Sequence, residues 1–62
     1  MAKRMNEMPR NGRRVQVDLG NGSWFVGIFR HGDFNDMWIE APEGYAELSG
    51  WYPARDISLL DD

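Results

Sequence analysis

Residues 50–60 read GWYPARDISLL: an aromatic pair runs into a proline, a short polar turn follows, and an apolar strand closes the segment. Proline has no backbone N–H to donate to a ladder, so strand pairing is expected to break at Pro53. Residues 54–56 suffice for one 3₁₀ turn. Residues 57–60 then predict a closing strand, and Trp51 is expected to lie in the core. The segment indicates a small β fold.

A hairpin is predicted upstream. Residues 13–19 alternate polar and apolar side chains, which predicts a half-buried strand with Val15, Val17 and Leu19 pointing inward. The dipeptide Asn-Gly at residues 21–22 separates this strand from another apolar run, which is a strong short-range signal for a hairpin turn.

The second strand of this hairpin, residues 23–30, is apolar on both faces. Alternation puts Trp24, Val26 and Ile28 on one face and Phe25 and Phe29 on the other. A two-faced strand in so short a chain suggests a strongly curved sheet. Gly27 is therefore predicted to permit a bulge or a bend.

The remaining pattern completes an all-β fold. Residues 37–41 predict a third strand, and residues 45–51 predict a fourth strand or an extended loop that leads into one. No segment reads as a long helix. Short strands with turn signals every 8–12 residues or so suggest a sandwich or a barrel. A small five-stranded barrel is the economical solution, because closure removes unpaired edges.

Two features resemble SH3 domains. The run from Gly50 to Ala54, followed by Ile57, is similar to their C-terminal signature, and Trp38 lies about where their tryptophan lies. The resemblance covers residues 36–60 and implies an SH3-like barrel with a 3₁₀ turn before the last strand. Of that family's proline-peptide groove, only Trp38 and Pro53 carry over. Its N-terminal signature and long acidic loop are absent, and Asp56 replaces its tyrosine after the proline.

A second resemblance covers residues 9–53. Short phage and prophage proteins of unknown function have a similar pattern of a Pro, a Gly, a Val-x-Val strand, a middle tryptophan and a late Trp-x-Pro. The pattern here consists of Pro9, Gly12, Val15 to Val17, Trp38 and Trp51 to Pro53. The resemblance implies a phage-accessory setting and no known chemistry.

Length and charge divide the chain into two parts. Sixty-two residues make one domain, predicted as a flexible, disordered N-terminal tail over residues 1–9 and the barrel over residues 10–62. Residues 1–14 carry five basic residues against one acidic residue, a net +4, and residues 15–62 carry two against nine, a net −7. We expect an acidic body with a basic arm.

Composition excludes several classes of site. There is no cysteine, which excludes disulfides and thiolate metal sites and fits a cytoplasmic location. No apolar run approaches the ~20 residues of a membrane span, so no membrane partner is expected. We also predict no cofactor and no metal site.

The one constellation with catalytic potential is His31 with Asp33 and Asp36. A histidine titrates near neutrality and could act as a general base. An enzyme also needs a preorganised pocket, and a barrel this small is filled by its own side chains. We therefore predict a turn with a capping Asp and a solvent-facing His, and no enzyme.

Aromatic residues are too numerous for so small a core. The predicted exposed set is Phe34, Trp38, Tyr45 and Tyr52, which are candidates for protein or peptide binding. Two other uses stay open at this point: the rings could cover the open ends of the barrel, or an edge strand could support a homo-oligomer. Nucleic-acid binding is the alternative function. In that case Arg10, Arg13 and Arg14 would contact phosphates, and the aromatic rings would stack on bases.

Overall fold

A computed structural model describes residues 2–4 and 8–60 of the chain. These residues form an antiparallel sheet of six strands: β1 (Ala2–Arg4), β2 (Arg14–Gly20), β3 (Ser23–Gly32), β4 (Asp36–Glu40), β5 (Gly50–Pro53) and β6 (Ile57–Leu60). Single 3₁₀ turns lie at Ala46–Leu48 and Ala54–Asp56. The all-β fold is confirmed, as is the 3₁₀ turn before the last strand.

The strand order across the sheet is β1-β6-β2-β3-β4-β5. Strands β2 to β5 follow one another as neighbours, and β6 returns to the far side of β2. Within the described residues, β1 and β5 are the two edges, and the sheet is open. The predicted closure into a barrel is therefore not observed.

The segment predicted as a tail, residues 1–9, lies partly within the described residues. Ala2–Arg4 pairs with β6, with Ala2 opposite Leu60. Met8 packs against the core, and Pro9 is buried. Residues 1, 5–7, 61 and 62 lie outside the described residues.

The β2–β3 turn confirms the hairpin prediction. Asn21 and Gly22 have φ values of 54° and 78°, the left-handed conformation that a tight hairpin requires and that these residue types tolerate. The pairing register of β2 with β3 shifts between Asp18 and Gly20. Leu19 falls in this irregularity and is exposed, so the prediction that it points inward was wrong.

The core lies on one face of the sheet. Its buried side chains are Val15, Val17, Phe25, Phe29, Met37, Ile39, Ala41 and Ile57. Phe25 and Phe29 thus belong to the inner face of β3, whereas Trp24 points outward and is exposed. Alternation alone could not choose between the two apolar faces of β3.

Gly27 allows β3 and β4 to lie close together. A Cβ on Gly27 would stand 2.6 Å from Cγ2 of Ile39 and 2.8 Å from the backbone oxygen of Glu40, distances at which something must shift. The irregularity of β3 lies elsewhere, between Phe29 and His31. Gly27 therefore serves close packing, and the bulge predicted at this residue occurs a few residues later.

Candidate functional site: an exposed ring cluster

Two tryptophans stack on the outer face of the sheet. Trp38 of β4 lies opposite Trp51 of β5, and both point away from the core, because the adjacent residues Met37, Ile39 and Tyr52 point inward. Their ring centroids are 6.4 Å apart, with 25° between the planes. Trp38 is half-buried beside Trp51, which is 59% exposed.

A bulge in β3 adds a third ring to this pair. Phe29 pairs with Ile39, and His31 pairs with Trp38. Two residues of β3, Arg30 and His31, therefore lie opposite the single β4 residue Trp38, which is a β-bulge. The extra residue brings His31 to the same face as Trp38. The His31 ring meets Trp51 edge to face, with centroids 5.4 Å apart and 74° between the planes. We call His31, Trp38 and Trp51 the ring cluster.

The ring cluster corrects the sequence-based placement of Trp51 in the core. Met37 of β4 points inward, and Tyr52 is the β5 residue paired with it. Trp51 must then take the outer face. The sequence held a signal for this result, because two consecutive aromatic residues in a strand point to opposite faces and only one can enter the core.

The four residues predicted as an exposed set do not form one surface. Phe34, in the β3–β4 turn, and Tyr45, before the first 3₁₀ turn, are exposed at 57% and 56%. They lie beyond opposite ends of β4. Trp38 belongs to the ring cluster, and Tyr52 points to the opposite face of β5.

Tyr52 is part of the packing around the core. It is half-buried, and its ring meets Phe25 edge to face at a centroid distance of 5.7 Å. Its hydroxyl donates a hydrogen bond to the backbone carbonyl of Leu48. This contact ties β5 to the 3₁₀ turn that precedes it.

Carboxylates flank Trp38 along β4. Asp36 and Glu40 lie two residues to either side of it and share its outward direction. The Nε of Arg30, the bulge residue, donates to Oε1 of Glu40 at 2.8 Å, and its Nη1 donates to Oδ1 of Asn11 at 3.0 Å. Asp36 makes no ion pair with any residue that the structure describes.

Asp33 caps the β3–β4 turn, as predicted. Its Oδ1 accepts hydrogen bonds from the backbone N–H groups of Asn35 at 2.8 Å and Asp36 at 3.0 Å. These two hydrogen bonds hold the pKa of the Asp33 carboxyl below its ordinary value, and the bond from Asp36 lowers it more than the bond from Asn35. His31 is exposed and contacts Trp51. Among the described residues, no group of three His, Cys, Asp or Glu side chains could hold a metal ion.

The three arginines of the nucleic-acid alternative have different surroundings. Arg10 is exposed, and Arg14 lies on the outer face of β2 opposite Ile28. Arg13 is half-buried, and its Nη2 donates to the backbone carbonyl of Leu60 at 2.7 Å. Arg10 and Arg13 also line a pocket of about 440 Å³, together with Met8, Pro9 and Leu59.

Comparison with protein-family models, with curated proteins and with solved structures found no match for this chain. In the described part of the chain, no helix has the length and apolar character needed to cross a membrane.

Proposed function

We propose that this protein is a non-enzymatic binding module that recognises a protein or peptide partner through the ring cluster. The observation that carries the proposal is the exposure of Trp51, 59% of whose surface faces solvent while its ring stacks on Trp38. Exposed aromatic clusters mark interaction surfaces, and tryptophan is enriched among residues that dominate binding energy.

The test is capture of partners from a host lysate by the immobilised full chain. Trp51→Ala and Trp38→Ala should each lose the partners that the wild-type chain retains. Trp24→Ala is the matched control, because Trp24 is 57% exposed on the outer face of β3 but pairs with Asp18, away from the cluster. Retention of every partner by a folded Trp51→Ala variant would refute the proposal.

An SH3-like arrangement of strands is the architecture that we propose for this module. Two observations support it: the 3₁₀ turn Ala54–Asp56 directly precedes the last strand, and β6 returns to pair with β2. The setting in which it works is proposed to be phage or prophage, on the pattern from Pro9 to Pro53, and cytoplasmic, on the cysteine-free composition.

Nucleic-acid binding is the second candidate, because Arg14 shares the outer face with the ring cluster. Bases stack on aromatic rings and arginines contact phosphates. The charge of residues 15–62, a net −7, opposes this function. A mobility shift with single- or double-stranded oligonucleotides at low salt, weakened steeply by added salt, would support it.

A further inference from the structure

We infer that the ring cluster receives an arginine or lysine side chain from a partner protein segment, with Asp36 as its counter-ion. This inference rests on the proposed function, because it names the chemistry of the partner at the same site. Ring faces, a nearby carboxylate and the charge of the surrounding sheet support it.

The rings offer negative π faces to a cation. Tryptophan is the aromatic side chain that attracts a guanidinium or ammonium group most strongly. Trp38 and Trp51 are stacked with 25° between their planes, and Trp51 is the more exposed of the two. A cation laid on the open side of Trp51 would therefore contact a ring that is already held in place by its neighbours.

A carboxylate lies within reach of that position. Asp36 precedes Trp38 by two residues on the same face of β4, which places it ~7 Å away along the strand. It is exposed and makes no ion pair with the described residues, whereas Glu40, on the other side of Trp38, is occupied by Arg30. Asp36 is thus the carboxylate available to a partner's cation.

The charge around the cluster points in the same direction. Residues 36–53, which run from the start of β4 to the end of β5, contain four acidic residues and no basic residue, a net −4. Such a surface attracts a basic segment and repels the phosphates of a nucleic acid.

A second copy of this chain is a less suitable partner. Each copy carries a net charge of −3, so two copies repel one another as they approach. Arg13, one of the basic residues of such a copy, already donates a hydrogen bond to the carbonyl of Leu60 in its own chain.

The experiment is NMR titration of the isotope-labelled full chain, in which the three indole Nε1–H resonances report Trp24, Trp38 and Trp51 separately. The probes are a blocked peptide of alternating glycine and arginine, the same peptide with neutral citrulline, and a single-stranded deoxythymidine oligomer. The arginine peptide should shift the resonances of Trp38 and Trp51 but not that of Trp24. It should bind about fivefold or more tightly than the citrulline peptide.

Two variants sharpen the result. Asp36→Asn should weaken the arginine peptide about threefold without affecting the citrulline peptide, and added salt should reduce this difference. Trp51→Ala should abolish the shift of Trp38. The control Trp24→Ala should bind as the wild-type chain does.

Other outcomes would overturn the inference. Equal binding of the arginine and citrulline peptides, with Trp38 and Trp51 shifted by both, would mean charge-independent peptide recognition, and the proposed function would stand. Absence of any shift would refute the cationic partner, while lysate capture would still decide the proposed function separately. Preference for the deoxythymidine oligomer would refute both. Self-association that Trp51→Ala abolishes would identify a second copy as the occupant.

Discussion

Trp51 lies directly opposite Trp38 across the β4–β5 ladder, and Tyr52, one residue later, lies opposite Met37 on the other face. The consecutive aromatic residues Trp51 and Tyr52 therefore have different roles. Tyr52 closes the packing around the core, and Trp51 forms part of the exposed ring cluster.

Replacing Trp51 by alanine should leave the protein folded. Trp51 is largely exposed, so the variant loses mainly its contacts with Trp38 and His31, a cost of about 0.5–1.5 kcal/mol in the free energy of unfolding. Met37→Ala, on the buried side of the same ladder, should cost about 2–5 kcal/mol. Urea titration monitored by circular dichroism measures the free energy of unfolding of both variants. Loss of cooperative unfolding in Trp51→Ala would contradict the outer placement of this ring.

Gly27→Ala should destabilise the sheet. The added Cβ would press against Ile39 and the backbone of Glu40, which costs about 1–3 kcal/mol as overpacking. Gly50→Ala is the control, because a Cβ there meets no atom within 4 Å. Thermal or urea unfolding of the two variants should therefore differ clearly. Equal stability of the pair would show that β3 and β4 have room to separate.

Tyr52→Phe should lower the free energy of unfolding by about 0.5–1.5 kcal/mol, since the Leu48 carbonyl loses its hydrogen-bond donor while the ring keeps its packing. The same change at Tyr45, whose ring is exposed, should stay within about 0.5 kcal/mol of wild type. Paired urea titrations give the comparison. An equal effect at both tyrosines would argue against a structural role for the Tyr52 hydroxyl.

The Asp33 cap should make stability depend on pH. Its folded pKa is lowered by hydrogen bonds from Asp36 and Asn35, relative to an ordinary value of 3.8. The carboxylate therefore stabilises the fold above that ordinary value, and this contribution is lost as the pH falls through the lower, folded pKa. Asp33→Ala should be less stable than wild type at neutral pH, with the difference shrinking in acid.

Asp33→Asn supplies the control for this titration, because an amide oxygen can still accept a hydrogen bond but carries no charge. The difference in stability between Asp33→Asn and Asp33→Ala should not change with pH. Measurement of the Asp33 carboxyl by NMR gives the pKa directly, and a value at or above 3.8 would contradict the cap.

Sequence patterns identified the fold class and most strands, because alternation in residues 13–19 and the Asn-Gly turn are local signals. They failed where pairing with another strand decides the outcome. Leu19 continues the alternation of Val15 and Val17, but the irregularity after Asp18 turns it outward. Adjacent strands likewise decided which aromatic residue of β5 enters the core.

The candidate site was predicted only in part. Trp38 was expected at the surface, but its two companions were not recognised. His31 reaches the outer face because of a bulge at Arg30, which no pattern in the sequence predicts. Trp51 reaches the outer face because of the register in which β5 pairs with β4. Both depend on long-range pairing, which a single sequence does not encode locally.

The position of β6 between β1 and β2 has a consequence for synthesis on the ribosome. Residues 57–60 are the last of the strands to be made, yet they occupy an interior place in the sheet and supply Ile57 to the core. Strands β2 to β5 can associate as a meander beforehand, but β1 must wait for a partner that emerges more than 50 residues later. Completion of this fold is therefore expected to follow release of β6 from the exit tunnel, rather than to proceed from the N-terminus as the chain grows.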